Sequence, residues 1–322
     1  MKPTIRIALA VAVLAAGCQR TPNPAATAQA PNDKANKTMP AQDQTFVLEE
    51  QAWRDQRRER LLRPDGWTSL VGLHWIDQGP HFVGQGGDNG IRLSMGPEHL
   101  GMIDLRKDGS VQFVAGKDAA LTVDGQPLRG AIALRTDADA QGPSVLGFDE
   151  GKGVATVIQR GDRYALRVKH ADAPTRLHFA GLDYWPADAA WRIPGKFVPH
   201  PPGTTLQVAN IIGGLDDAKN PGAVQFERDG KTWSIEAIDE GEGELFLVFA
   251  DRTNGHGSYG AGRFLYTAMP DAQGRVTVDF NQAYNPPCAF TSFATCPLPP
   301  AQNRLDLAIT AGEKAYAGEH GS

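Results

Sequence analysis

The residues with the clearest capacity for chemistry are two cysteines in the segment DFNQAYNPPCAFTSFATCPLPPAQN, residues 279–303. Cys288 and Cys296 lie between two proline clusters, in a chain of 322 residues that contains 3 cysteines. In an oxidising compartment this spacing predicts a disulfide that stiffens the loop. Two other interpretations stay open: a pair of reduced cysteines packed in a core, or a nucleophile at Cys288 with a base that comes close only in the fold.

Carboxylates and an arginine surround that loop. Asp251 and Asp279 each end a predicted strand, and Arg263 begins another. If these strands are neighbours in a meander, both carboxylates lie at one rim, and Arg263 can pair with either of them or with an anionic ligand. The carboxylates could act as an acid and a base, or hold a hard divalent cation such as Ca²⁺.

The alternative for these residues is structural. Asp and Asn beside Gly and Pro commonly cap turns, and Arg263 then forms an internal ion pair. The candidate catalytic residues are Asp251, Arg263 and Asp279, and the candidate ligand-binding residues are Trp185, Tyr259, Arg263, Asn281, Tyr284 and Asn285.

Other catalytic and cofactor motifs are missing from the sequence. The histidines show no H-x3-H or H-E-x2-H spacing, and C-x7-C lacks the tight spacing of a zinc knuckle. No phosphate loop or dinucleotide fingerprint follows a predicted strand, and GSYGAG lacks the frame of a nucleophile elbow. We therefore predict no metal site and no evident cofactor, apart from the possible divalent cation.

Charge and composition limit the classes of partner. The formal net charge is -5, which gives no clustered basic face for nucleic acid. Hydrophobic residues make up 41% of the chain, enough for a sizeable core, and 36 glycines with 23 prolines favour short strands joined by turns.

The N-terminus has the pattern of an export signal. Lys2 and Arg6 precede a short apolar run that ends in LAAGC, which resembles a bacterial lipobox with Cys18 as the lipidated residue. An ordinary cleaved signal near Ala16 is the alternative. We predict a signal peptide over residues 1–17 and a lipidated Cys18 with a disordered tether over residues 18–44, because that segment has almost no large apolar residue.

The rest of the chain predicts an all-β protein with one N-terminal helix. The helix runs from Phe46 to Arg63, with a thin apolar stripe of Phe46, Trp53 and Leu61, and stops at the PDG turn. Its arginines, Arg54, Arg57, Arg58 and Arg60, could bind anionic headgroups, but the interleaved acids favour a solvated, self-paired face.

Short β-type runs with Gly and Asp turns follow the helix. RGDR, VDGQ and RDGK are typical hairpin centres. We predict two packed β modules, residues 45–185 including the helix and residues 186–322 with the Cys/Pro-rich loop, the first sandwich-like and the second barrel-like or a meander.

Several long motifs resemble a known family. WRDQRRERLLRPDGWTSLVGLHW, GRFLY, DFNQAYNPPCAFTSFATCPLPPAQNRL and AGEK together resemble the DUF1684 family of bacterial and archaeal proteins. The resemblance covers about residues 45–316. It implies one integral globular part and supplies no reaction, because the function of the family is not established.

These features predict an exported envelope protein, held to a membrane by its N-terminal lipid and facing the periplasm from the outer membrane if the host is Gram-negative. Its partner is an unknown small ligand or another envelope protein. The alternatives are a carboxylate- or metal-dependent hydrolase with a site near Asp251, Arg263 and Asp279, and a purely structural module.

Overall fold

A computed structural model describes residues 41–318, and side chains from residue 44 onwards. The predicted signal peptide, the lipidation site Cys18 and most of the predicted tether lie outside the described residues. The long helix α1 spans Ala41–Leu62 and so begins within the last residues of the predicted tether. Within the described part of the chain, no helix has the length and apolar content needed to cross a membrane.

Helix α1 forms because residues 41–62 contain no Gly or Pro and are rich in Glu, Gln, Arg, Leu and Ala. It ends before Pro64, where Gly66 N–H donates to the Arg63 carbonyl at 2.9 Å. The side chains that α1 buries are Phe46, Glu50, Arg57 and Leu61, spaced along one face. The prediction of a solvated arginine face is therefore wrong for Arg57, which ion-pairs inside the protein.

Two sheets of mostly antiparallel strands form the first β region and enclose one core. The core combines Val83, Ile103 and Phe113 from one sheet with Val157 and Leu166 from the other. This arrangement confirms the sandwich-like prediction. The first sheet has the order β1 (Leu70–Ile76), β11 (Arg163–His170), β10 (Gly153–Arg160), β9 (Leu146–Phe148), β6 (Thr122–Val123), β7 (Gln126–Pro127); the second has β3 (Ile91–Arg92), β2 (Gly79–Gly84), β4 (Gly101–Leu105), β5 (Val111–Ala115), β8 (Ala131–Leu134).

The second β region is a six-stranded sheet that nearly closes into a barrel. Thr267 Oγ1 donates to the Thr277 carbonyl at 2.6 Å and links the two ends of the sheet. Phe226, Leu247 and Phe280 are fully or almost fully buried inside it. The order is β18 (Arg263–Ala268), β17 (Glu244–Phe249), β16 (Lys231–Asp239), β15 (Gly222–Arg228), β12 (Arg192–Pro199), β19 (Arg275–Asp279), and the separate hairpin pairs β13 (Thr205–Ala209) with β14 (Leu215–Lys219).

The predicted neighbours β17 and β18 pair directly, whereas β18 and β19 meet without a main-chain ladder between them. Strand β19 pairs with β12, residue Arg192 opposite Asp279, and reaches β18 only across the closing edge of the barrel. The carboxylate of Asp279 therefore lies beside β12. Short helical turns, including α2 (Pro174–Leu177), connect the two β regions.

Local turn chemistry sets the register of the predicted hairpins. Asp124 and Gly125, and Asp229 and Gly230, all have positive φ between their paired strands. This is the backbone of the two-residue turn for which Asp-Gly is favoured. The RGDR hairpin also forms as predicted, with Arg160 opposite Arg163.

A third hydrophobic cluster joins the two regions. It contains Leu70 of β1 together with Phe246, Phe264, Cys288 and Cys296. The Cys/Pro-rich segment thus packs between the sandwich and the barrel. The limits of the two predicted modules stay a prediction.

Candidate functional site

The two cysteines are free thiols, which corrects the predicted disulfide. Both are buried in the third cluster, where cysteine behaves as a small apolar side chain. The backbone N–H of Cys288 donates to Cys296 Sγ at 3.1 Å, and the thiols also hydrogen-bond to each other. That bond lowers the pKa of Cys288 and raises the pKa of Cys296, whose burial raises it further. Packing and prolines, rather than a covalent bond, hold the loop.

Arg263 and Asp251 form an ion pair whose side chains are both 0% exposed. Arg263 Nη2 donates to Asp251 Oδ2 at 2.5 Å and to the Ile309 carbonyl at 2.9 Å, and Nη1 donates to the Ala311 carbonyl at 2.5 Å. Asp251 Oδ1 accepts from the Thr253 N–H at 2.7 Å. Both Nη atoms of Arg263 are thus hydrogen-bonded inside the fold, although its buried Nε has no partner, and the pair braces the C-terminal segment against β18.

Asp279 belongs to a different ion-pair network. Arg192 donates from Nε to Asp279 Oδ2 at 2.5 Å and from Nη2 to Glu50 Oε1 at 2.9 Å, and so ties α1 to the barrel. Burial, followed by repulsion from Asp279, raises the pKa of Glu50. Asp251 and Asp279 are thus each engaged by a different arginine. Among the described residues, no group of three or more His, Cys, Asp or Glu side chains could hold a metal ion.

The remaining candidates make mainly local contacts. Asn281 Nδ2 donates to Asp279 Oδ1 and to the Asp188 carbonyl, both at 2.9 Å, and Asn285 Nδ2 donates to the Lys314 carbonyl at 2.7 Å. Tyr259 Oη donates to the Cys288 carbonyl at 3.1 Å. The ring of Trp185 lies under Lys314 Nζ at 5.0 Å. Of the ligand-binding candidates, Tyr284 lines the cleft described next.

A cleft of about 570 Å³ opens between α1, the β10–β11 hairpin and the barrel. Its volume suits a small ligand. We call it the cationic cleft, because its walls carry a marked excess of positive charge. The cations are Arg57, Arg60, Arg63, Arg160, Arg167 and Lys169, the carboxylates are Asp65 and Glu240, and the aromatic and sulfur-bearing wall contains Trp67, Phe246, Phe264, Tyr266, Tyr284 and Cys296.

Strand β11 positions the central cations of the cleft. Alternate residues of a strand point to opposite faces. Leu166 and Val168 enter the sandwich core, so Arg167 and Lys169 point out of the other face towards the barrel. Arg167 Nη2 reaches across to Thr295 Oγ1 at 3.1 Å.

Arg167 and Lys169 have no carboxylate within ion-pair distance in the described part of the chain, and both lie over the Trp67 ring, at 5.5 Å and 5.2 Å. Among the described residues, the buried Arg167 Nε has no hydrogen-bond partner. Burial, with repulsion from Arg160, lowers the pKa of Arg167 to about 10. Burial and repulsion from Arg167 lower the pKa of Lys169, whose Nζ donates to the Asp65 carbonyl at 2.6 Å. An unpaired, partly desolvated cation is costly, and an anion in the cleft relieves that cost.

Stacked rings form the apolar side of the cleft. Phe246 and Tyr266 stack with centroids 4.8 Å apart, and Phe264 meets Tyr284 edge-on at 5.8 Å. Tyr266 Oη donates to Glu240 Oε2 at 2.6 Å. Burial raises the pKa of both tyrosines, so their hydroxyls stay protonated donors. The cleft therefore joins a cationic end to an aromatic end.

The sequence contained a signal for this site that our motif analysis missed. In RYALRVKH, residues 163–170, cations alternate with apolar residues, the pattern of a strand with one core face and one charged face. Pairing that face with the aromatic residues of β17 and β18 requires the tertiary structure.

The comparisons with known proteins indicate a family but no activity. A family model described as "Protein of unknown function (DUF1684)" matches residues 177–314. Over residues 177–314 the chain is therefore similar to the DUF1684 family. Apart from Trp67, the aromatic wall of the cleft lies inside the DUF1684 match, whereas Arg160, Arg167 and Lys169 precede it.

A solved structure also matches part of the chain. It is the solution NMR structure of an uncharacterized protein of Haloarcula marismortui, and the two sequences are 31% identical. The match covers 45% of this chain and 81% of the Haloarcula protein, with a TM-score of 0.37. At that TM-score no structural feature is transferred between the two. No curated protein matches this chain.

Proposed function

We propose that this chain is an exported, lipid-anchored envelope protein that binds a small anionic ligand in the cationic cleft. The observation that carries the proposal is the pair Arg167 and Lys169, which line the cleft and form no ion pair among the described residues. A protein surface usually pairs or hydrates its cations, because an unpaired charge in a poorly solvated place lowers stability. A site that keeps such cations is suited to an anion that arrives from solution.

Export and lipid anchoring rest on the N-terminal sequence. The charged, apolar and small-residue pattern that ends at Cys18 supports a signal followed by lipidation. Metabolic labelling with an alkyne fatty acid tests it: the wild-type chain takes up label in the envelope fraction, and Cys18→Ala does not. Unlabelled wild-type protein in the soluble cytoplasmic fraction would contradict this part of the proposal.

The two alternative functions differ in their support. A hydrolase that uses Asp251 and Asp279 has no specific observation in its favour, because each carboxylate is engaged by its own arginine. A structural role is favoured for Arg263 itself, which is fully buried and hydrogen-bonded to main-chain carbonyls. That role concerns the brace inside the barrel and leaves the cationic cleft available for a ligand.

Calorimetric titration of the full chain with 1-naphthalenesulfonate, an aromatic anion, tests the binding proposal. We expect saturable binding that weakens as salt rises. Arg167→Gln should weaken it by about 10- to 100-fold, because a hydrogen bond to a charged group contributes about 1.5–3 kcal/mol and about 1.4 kcal/mol corresponds to tenfold.

Arg163→Gln is the matched control. Arg163 is on the same strand β11 but lies over the Trp75 ring at 3.6 Å, outside the cationic cleft. Its substitution should leave binding unchanged. No binding by the wild-type chain, or equal losses in both variants, would refute the proposal.

A further inference from the structure

The charge and hydrogen-bonding capacity of the cationic cleft indicate more than a generic anion. We propose that its ligand is a phosphate monoester that carries an aromatic or aliphatic group. This inference rests on the proposed function and adds the class of ligand. Three features carry it: the number of cations that form no ion pair among the described residues, an unused hydroxyl donor at the cationic end, and the aromatic wall at the other end.

The cations of the cleft divide into paired and unpaired groups. Arg57 pairs with Glu313, Arg63 with Asp65 and Arg160 with Asp137. Among the described residues, the cleft cations that form no ion pair are the exposed Arg60 and the half-buried Arg167 and Lys169. A sulfate ester or a carboxylate brings a single negative charge. A phosphate monoester carries about −1.5 to −2 at pH 7 and so compensates this excess more fully.

Thr295 supplies a donor between the arginines. Its Oγ1 accepts from Arg167 Nη2 at 3.1 Å and from Arg160 Nε at 3.3 Å. No acceptor for the Thr295 hydroxyl hydrogen is found in the described part of the chain. The Thr295 hydroxyl, in the wall of the cleft, is therefore available to an oxygen of a tetrahedral anion, whereas Arg167 Nε is buried beside it without a partner.

The opposite end of the cleft repels an anion and favours a ring or an acyl chain. Glu240 accepts from the Tyr266 hydroxyl there, beside the stacked Phe246 and Tyr266 rings. A carboxylate disfavours phosphate at that end, and the ring faces favour apolar carbon. The ligand thus has a required orientation, with its phosphate at Arg167 and its ester group against the rings.

The pH dependence of binding separates this class from other anions. The ionisable groups that line the cleft are the arginines and Lys169, Asp65 and Glu240, Tyr266, Tyr284 and Cys296, and none is a histidine. The second ionisation of a phosphate monoester has a pKa of about 6. A sulfate ester has no such ionisation. Titration of protein groups changes the affinities for both esters, so the ratio of the phosphate affinity to the sulfate affinity follows the charge of the phosphate.

Calorimetric titration of the full chain with phenyl phosphate and phenyl sulfate, at about pH 5 and about pH 7.5, tests the inference. We expect phenyl phosphate to bind at least about tenfold more tightly than phenyl sulfate at the higher pH, and the ratio to shrink at the lower pH. Arg167→Gln should abolish the preference, and Arg163→Gln should retain it. Thr295→Val, a near-isosteric change, serves as a second variant and should reduce the phosphate preference specifically.

The outcomes separate this inference from the proposed function. Equal, pH-independent affinities for the two esters, both lost in Arg167→Gln, would overturn the phosphate class and leave the anion site standing. If neither phenyl phosphate nor phenyl sulfate bound, both the phosphate class and the anion site would be overturned. Titration with hexyl phosphate, and flotation with phosphatidylcholine vesicles with or without phosphatidic acid, distinguish a soluble ester from a lipid headgroup. If the chain bound neither hexyl phosphate nor the vesicles with phosphatidic acid, the phosphate class would again be refuted.

Discussion

The ion pair between Arg263 and Asp251 makes a strong prediction about stability. Both side chains are 0% exposed, and Asp251→Asn removes the charge while preserving the shape. The guanidinium of Arg263 then stays buried without its counterion, and its Nη2 faces either an amide oxygen or an amide N–H. Removing one partner of a buried pair costs about 3–5 kcal/mol. At about 2–4 °C per kcal/mol for a chain of this size, Tm should fall by about 6–20 °C.

Urea unfolding followed by tryptophan fluorescence measures that loss, and the neighbouring pair supplies the control. Arg252 and Asp306 also form an ion pair, but their side chains are 61% and 73% exposed. Arg252→Gln should therefore change stability by less than about 1 kcal/mol. A loss of less than about 1 kcal/mol in Asp251→Asn would refute the assignment of Asp251 and Arg263 as a structural brace.

Three further predictions concern Arg57 of α1, the buried Glu50 of the same helix, and the two thiols. Arg57→Met should destabilise the chain by about 3 kcal/mol and speed proteolysis within α1, because Glu313 loses its buried partner. A variant that resists trypsin as well as the wild-type chain would contradict this. Burial raises the pKa of Glu50 above its value in the unfolded chain. The contribution of Glu50 to the free energy of unfolding is therefore fully present below the unfolded pKa, and it is lost as the pH rises through the higher pKa of the folded state. The stability of Glu50→Gln relative to wild type should therefore rise between about pH 4 and pH 7 in urea titrations, and a difference that is flat or falls with pH would contradict it. Alkylation in denaturant without a reducing agent should modify both Cys288 and Cys296 in the peptide of residues 276–304, and an unmodified, bridged peptide would contradict the free thiols.

Local signals explain what the sequence could predict. The Asp229-Gly230 turn fixes its hairpin through two residues that tolerate positive φ, so neighbouring strands were predictable in register. The end of α1 follows from Pro64 and Gly66. The all-β class with one N-terminal helix follows from the same local rules, applied along the chain.

Long-range pairing explains what it could not predict. Strand β19 pairs with β12, about eighty residues earlier in the chain, and this places Asp279 beside Arg192 instead of Arg263. The cationic cleft depends in the same way on β11 meeting the aromatic side of the barrel. Its cations precede residue 177, whereas its aromatic wall lies mostly after residue 240, so no local motif contains both.

A crystal structure of the full chain soaked with phenyl phosphate tests the central claim most directly. We predict a tetrahedral anion within hydrogen-bond distance of Arg167 and Thr295, with the phenyl ring against Tyr266 or Phe246. Density for the ester at any other site, with an empty cationic cleft, would contradict the account.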